Sequence, residues 1–211
     1  MDKKYYQTRF THDPKRKVVW KAIAAHLQQF VPKGGTVLDL GCGYGDFINN
    51  IKAGKKHALD IHGDVKKYLD DDVEFHVLDG TKVGSLGTKF DVVFASNFFE
   101  HFDKNQLNTM VEGIKTILKE KGRLVLMQPN YHYAYKEYFH DYTHKTIFSH
   151  VSLANFLEGH GFKIRKAIKK YLPLEMKSRL PKSAFLTSLY LRSPFKPLGK
   201  QMLIVAEKRS R

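Results

Sequence analysis

The feature that most constrains this chain is a short apolar run that breaks into glycines. Thr36-Val37-Leu38-Asp39-Leu40 has the composition of a strand buried on both faces, and Gly41, Gly43 and Gly45 follow at once. Glycines so placed permit positive φ and close backbone approach, so the chain turns sharply from strand toward helix. Residues 57–61, 73–78, 90–95 and 123–127 read as further strands, the second carrying Asp60 at its end and the third leading into Asp79. Between and around them, helical spacing marks 13–31 (Val18, Val19, Ala22, Ile23, Leu27, Phe30), 44–53, 105–119 and 151–161, with Asp13 as the expected cap of the first helix. Strands alternating with helices imply right-handed crossovers, hence an α/β fold with a mostly parallel sheet and helices on both faces. Residues 162–167 and 201–207 supply two final strands. The stretch 172–199 between them is long for a loop, so it either serves a function or carries structure of its own.

In an open sheet of this kind ligands bind at the carboxyl ends of the strands. A tight strand-to-helix connection would by itself explain the glycines, so the neighbours decide. Asp46 stands where a dinucleotide fingerprint needs a small residue, and the lysine of a phosphate loop is absent. Asp39 precedes the first glycine by two positions, placing a carboxylate where a phosphate would be repelled. Asp60, 19 residues after Gly41, is placed to accept from a ribose diol. Asp79 can accept from an exocyclic amine. Acids at three successive strand ends suit a ligand with a ribose, an adenine amine and a cationic centre, and no phosphate.

S-adenosylmethionine (SAM) fits that description. Val37-Leu38-Asp39-Leu40-Gly41-Cys42-Gly43-Tyr44-Gly45 resembles the first motif of the class I SAM-dependent methyltransferases, and the likeness runs on through Asp60, Asp79, Phe90-Asp91-Val92-Val93-Phe94-Ala95-Ser96-Asn97 and Gly122-Arg123-Leu124-Val125-Leu126. The resemblance implies a Rossmann-like sheet of seven mostly parallel strands with an antiparallel last strand. It implies that Gly41, Gly43 and Gly45 hold the methionine part, with Cys42 as a small residue packed in the loop and Asp39 near the amino group. It further implies Asp60 and Ile61 at the ribose, Asp79 and Gly80 at the adenine, and Ser96 and Asn97 completing the cofactor site. Residues 1–211 are expected to form one such domain, with an N-terminal helix 13–31 and a basic insertion 172–199.

The acceptor is narrowed by absences. Ser96-Asn97-Phe98-Phe99-Glu100-His101 stands where an amino-methylating nucleic-acid enzyme would carry Asn/Asp-Pro-Pro-aromatic, and no nucleophilic cysteine is there for cytosine C5 chemistry. The Glu-His pair resembles the small-molecule branch of the family, and the tail, with Lys177-Ser178-Arg179-Leu180-Pro181 and Gly199-Lys200-Gln201-Met202, resembles bacterial methyltransferases encoded among cell-surface glycan genes. His101 is the first candidate for a base or acceptor-orienting residue; a histidine bonded to its neighbouring loop is the plain alternative. Asp141-Tyr142-Thr143-His144 resembles an Asp-x-Thr-His segment of that branch, making His144 the second candidate, although the same residues could simply cap a turn. Some relatives bind a divalent metal through Glu-x-x-Glu-His and a later histidine. Asn97 replaces the first glutamate here, which weakens a hard-cation site and leaves metal use open.

Charge bears on partners. The formal net charge is +15, yet residues 34–161 hold 14 basic and 17 acidic side chains; the excess lies in 1–33 and in 162–211, the latter with 14 basic and 2 acidic. A mildly acidic middle suits a cationic methyl donor. Basic residues flanking Phe185, Leu186, Leu189, Tyr190, Leu191 and Phe195 suit an anionic membrane surface, or a lid over an anionic substrate; the plain alternative is an amphipathic helix on the sheet edge. The single cysteine, the lack of an apolar leader after Met1 and the lack of a spanning apolar run point to a cytoplasmic protein, peripheral at most to the inner membrane face. The expected activity is O-methylation of a small-molecule, sugar or lipid-linked glycan acceptor. RNA methylation through the basic flanks and a SAM-binding module without turnover are the alternatives.

Overall fold

The computed structural model describes residues 12–173 and 183–209. Seven strands form one sheet in the order β3-β2-β1-β4-β5-β7-β6. They are β1 (Thr36–Leu40), β2 (Lys55–Asp60), β3 (Val73–Val77), β4 (Phe90–Ser96), β5 (Leu118–Pro129), β6 (Phe162–Ile168) and β7 (Gln201–Lys208). β7 alone runs antiparallel, lying between β5 and β6. Its first residue, Gln201, therefore sits opposite Pro129 at the carboxyl end of β5, on the same edge of the sheet as the glycine turn.

Side-chain alternation divides the core between the two faces of the sheet. On one face Leu38, Leu40, Val93, Leu124 and Leu126 meet Leu107, Met110, Val111 and Ile114 of α2 (Lys104–Ile117) and Leu153 and Leu157 of α4 (His150–Gly159). On the other, Val37, Val92, Phe94, Val125 and Leu203 meet Trp20, Ile23 and Leu27 of α1 (Arg16–Leu27). Each such buried side chain contributes about 1.5–3 kcal/mol. α2 begins in a capping box, with Asp103 accepting from Gln106 N and Gln106 Oε1 accepting from Asp103 N. A single helical turn, α3 (Tyr131–Ala134), follows β5.

Two expectations change, and a third is met. α1 starts at Arg16, because Asp13 spends its carboxylate on Lys15 N and its carbonyl on Arg16 N, forming the turn before the helix. Residues 44–53 form no helix: Asn50 Nδ2 donates to Asp46 O, and Asn49 reaches away to Tyr68 O and Asp70 N. The Asn50 amide takes the Asp46 carbonyl that its own N–H would use in a helix, that N–H donating to Phe47 O instead, and the segment stays a run of turns that still buries Phe47, Ile48 and Ile51. The stretch before β7 carries α5 (Ala184–Arg192), capped by Ser183, whose Leu191 joins the α1 side of the core. Lys177, Arg179 and Lys182 of the expected basic segment lie outside the described residues.

Candidate active site

The turn after β1 is built from left-handed glycines: Gly41, Gly43 and Gly45 have φ of 73°, 50° and 69°. Gly41 N and Cys42 N both donate to Leu59 O, at 2.8 and 3.1 Å, which ties the turn to β2. A Cβ at Gly41 would run into the ring of Phe98, and one at Gly80 would come within 2.9 Å of the same ring. Both glycines thus make room for Phe98, a residue of the β4 end, and close ligand approach is not the only reason for them. Cys42 is buried, and burial pushes its thiol well up, which removes it as a nucleophile.

The acids expected at the cofactor lie at the ends of their strands, already engaged with the chain. Asp60 Oδ2 accepts from Gly43 N at 3.0 Å and Oδ1 from His62 N at 3.0 Å, so this carboxylate braces the glycine turn. Ile61 beside it is exposed. Asp79 Oδ1 accepts from Thr81 N at 2.8 Å and Thr81 Oγ1 at 2.6 Å; burial opposes its ionisation, but these bonds outweigh burial and hold the carboxyl below its ordinary range. Asp39 is 3% exposed; burial, with Asp46 and Asp60 nearby, pushes its carboxyl well up against the Ile48 N–H that lowers it. Asp46 is held by Arg16 of α1, whose NH2 lies 2.7 Å from Oδ2. A buried carboxyl beside two more acids is stabilised by a bound cation. S-adenosylmethionine carries two cationic centres, an ammonium and a sulfonium, so this part of the site fits it. Asp39, the glycine turn, Asp60 and Asp79 lie at or just past the carboxyl ends of β1, β2 and β3.

Across the β4 end the two histidine motifs converge. Ser96 is the last residue of β4; Asn97 follows with φ 48°, donates N–H to Met127 O and accepts from Gln201 Nε2 on β7 at 3.1 Å. Phe99–His101 make a tight turn whose Glu100 carbonyl accepts from Lys145 N and Thr146 N, while Thr146 Oγ1 donates to Phe102 O. Tyr138 Oη donates to Thr146 O at 2.6 Å. These bonds lock residues 138–146 against the turn. Asp141 Oδ1 accepts from Thr143 N and from Thr143 Oγ1 at 2.6 Å. Thr143 Oγ1 also lies 2.9 Å from His101 Nδ1. A threonine hydroxyl has one proton, and the shorter contact to Asp141 takes it, so Oγ1 accepts from Nδ1–H and the neutral ring carries its lone pair on Nε2, with the Asn97 and Thr143 carbonyls also against the ring. Asp141 therefore does form a turn cap, and it also orients His101, through a residue that the spacing did not single out.

Burial, reinforced by His144, lowers His101 to about 4 against the pull of Asp141, so the ring is neutral at pH 7. The His144 ring stands 5.0 Å from that of His101. Glu100 is fully buried, and neither carboxyl oxygen has a hydrogen-bond partner. Its 4.0 Å approach to His144 Nε2 is too long for one. Burial raises Glu100 to about 8, which makes it a neutral acid at pH 7. Glu100, His101 and His144 offer donor atoms within 4.8 Å of one another, a nitrogen-rich set suited to a zinc-like ion rather than magnesium. A second set, His57, Glu74 and His76 on β2 and β3, differs: its rings are 9° from coplanar with centroids 5.4 Å and nitrogens 3.1 Å apart, which is a head-on hydrogen bond, not two lone pairs converging on an ion.

Sequence reasoning missed Phe98, Glu100, Thr143 and Gln201 as site residues. The Glu100-His101 pairing was visible; the tie from Gln201 required knowing that β7 returns beside β5.

A family model described as a methyltransferase domain matches residues 13–167. An uncharacterized protein of Methanocaldococcus jannaschii is 31% identical over 150 residues, covering 70% of this chain and 64% of its own length, so this chain spans less than two thirds of that relative. Among solved structures, a SAM-dependent methyltransferase from Archaeoglobus fulgidus superposes with a TM-score of 0.64 at 22% identity, covering 90% of this chain and 94% of its own. The N-methyltransferase NodS of Bradyrhizobium japonicum, in complex with S-adenosylhomocysteine, gives 0.62 at 12% identity, covering 97% and 92%. At such identities the structural likenesses carry the fold alone.

Proposed function

Because the chain belongs to the methyltransferase family and has the fold of its SAM-dependent enzymes, we propose that it transfers the methyl group of S-adenosylmethionine to a hydroxyl of a small molecule, sugar or lipid-linked glycan. One observation supports the hydroxyl: the Asp141–Thr143–His101 relay, which leaves His101 Nε2 as the basic nitrogen. An amine acceptor needs only to be neutral, whereas a hydroxyl or a carbon acid must lose a proton, so a fixed base favours oxygen or carbon over an amine.

Bound S-adenosylmethionine supplies an electrophilic methyl carbon whose sulfur keeps the electron pair on leaving. The chain supplies alignment and proton management. Asp39 offsets positive charge beside the glycine turn. Asp60 holds Gly43 in the left-handed conformation while accepting from the ribose side. His101 Nε2 takes the acceptor's hydroxyl proton as the carbon–oxygen bond forms, and Asp141, through Thr143, stabilises the imidazolium. Glu100 stays protonated, so it adds no charge to compete for that proton.

The test is incubation with methyl-labelled S-adenosylmethionine and separated extract fractions. Label should enter a hydroxyl-rich glycan or lipid-linked fraction, and His101→Ala should cut the rate by about 10²–10⁴-fold while S-adenosylhomocysteine binding is kept. Label in RNA, or transfer indifferent to His101, would overturn this reading.

A further inference from the structure

The outward face of α5 is built wrongly for water. Phe185, Leu189 and Arg192 recur at i, i+4 and i+7 on one stripe, with Leu186 beside it. Phe185 is 74% exposed and Leu189 59%, while Leu191 on the inner side packs into the α1 face of the core. Beyond the helix, Phe195 is 76% exposed and Leu198 is exposed as well. Scattered apolar residues on a surface need no explanation, but this many within residues 185–198 form a patch.

Positive charge lies to one side of it. Lys196 Nζ donates to the Tyr190 and Leu191 carbonyls and so caps the end of α5. Lys166, from edge strand β6, sits over the Phe30 ring. Arg192 lies on the same helical stripe as Phe185 and Leu189, and it acts with Lys196 and Lys166 to lower His26 of α1 after burial does. Residues 162–211 carry 14 basic side chains and 2 acidic ones. This segment also runs straight into Gln201, whose side chain bonds Asn97 at the candidate active site.

We propose that α5 and residues 193–198 dock the protein onto an anionic lipid surface, with Phe185, Leu189 and Phe195 entering the acyl boundary and Arg192 and Lys166 meeting the headgroups. Apolar residues on one face of a helix with cations beside them are the signature of an interfacial helix, and each cation near such a surface strengthens its attraction to anionic lipid. Charge decides between occupants: a second copy of this patch would bring like charges together. Docking here goes beyond the transfer chemistry proposed above and does not depend on it.

Sedimentation of the full chain with lipid vesicles tests this. Binding is expected to phosphatidylcholine vesicles containing phosphatidylglycerol, and much less to phosphatidylcholine alone. The double variant Phe185→Ser/Phe195→Ser should lower partitioning by at least about tenfold. Arg192→Glu, which leaves the apolar stripe intact, should lower it on anionic vesicles only. S-adenosylhomocysteine affinity, measured alongside, should be unchanged in all variants, so a failure of cofactor binding speaks to the methyltransferase reading alone. Absence of vesicle binding, equal binding to neutral vesicles, indifference to the substitutions, or a dimer abolished by the double variant would each overturn the proposal.

Discussion

Thr143 is the residue on which the site's chemistry turns. Its hydroxyl proton is committed to Asp141, and that commitment decides which nitrogen of His101 is basic. Thr143→Val keeps the shape and removes the relay; kcat should fall about 10- to 100-fold with cofactor affinity intact, and Thr143→Ser should restore most of it. Glu100 supports a prediction of a different kind. Its folded value of about 8 lies above the ordinary 4.5, so its contribution to stability is complete below about pH 4.5 and is lost as the pH rises through 8. The loss reaches ~5 kcal/mol as an order of magnitude. Glu100→Gln should therefore melt close to the parent at pH 5 and clearly above it at pH 8.5. Denaturant unfolding at the two pH values checks this, and a difference that does not grow with pH contradicts it. His101, lowered to about 4, acts in the opposite sense: its contribution is present above about pH 6.5 and lost as the pH falls through 4, so the comparison between variants isolates Glu100.

Among the elements, the glycine turn shows how much of the fold was legible and what was not. Val37 to Gly45 announced a strand and a left-handed turn, and each of the three glycines has positive φ. The strands were readable because burial on both faces leaves short apolar runs that little else resembles. The segment 44–53 misled because Phe47, Ile48 and Ile51 are spaced as in a helix and are buried as expected, while the Asn50 amide occupies the Asp46 carbonyl that a helical ladder would use. Phe98 was invisible for another reason: only the folded sheet brings the end of β4 over Gly41 and Gly80. Gly41→Ala should accordingly cost more than Gly161→Ala. Both add a Cβ at positive φ, at about 1–2 kcal/mol, but Gly41 alone also meets an aromatic ring. Thermal unfolding of the two variants, with Phe98→Leu added to Gly41→Ala to relieve the contact, separates the steric part from the backbone part. Equal losses in the two single variants would contradict the role given to Phe98.

At the scale of the whole molecule, the net charge of +15 resolves into an acidic centre and basic flanks. Composition alone suggested nucleic acid; the distribution of charge, with carboxyls gathered at Asp39, Asp46 and Asp60, favours a cationic ligand in the centre. Among the described residues, no helix is long and apolar enough to cross a membrane. What the sequence did not disclose was how its distant parts meet: the 138–146 segment against the β4 end, and Gln201 against Asn97. Each contact follows from topology, which spacing does not reveal. The measurement that bears most directly on the account is a calorimetric titration of S-adenosylhomocysteine into the full chain and its Asp60→Ala variant. The account predicts one molecule bound per chain and affinity lowered by at least about tenfold in the variant, because charge-assisted bonds to the ribose are lost and the glycine turn loses its brace. Absence of binding to the wild type, or equal affinity in the two proteins, would contradict it.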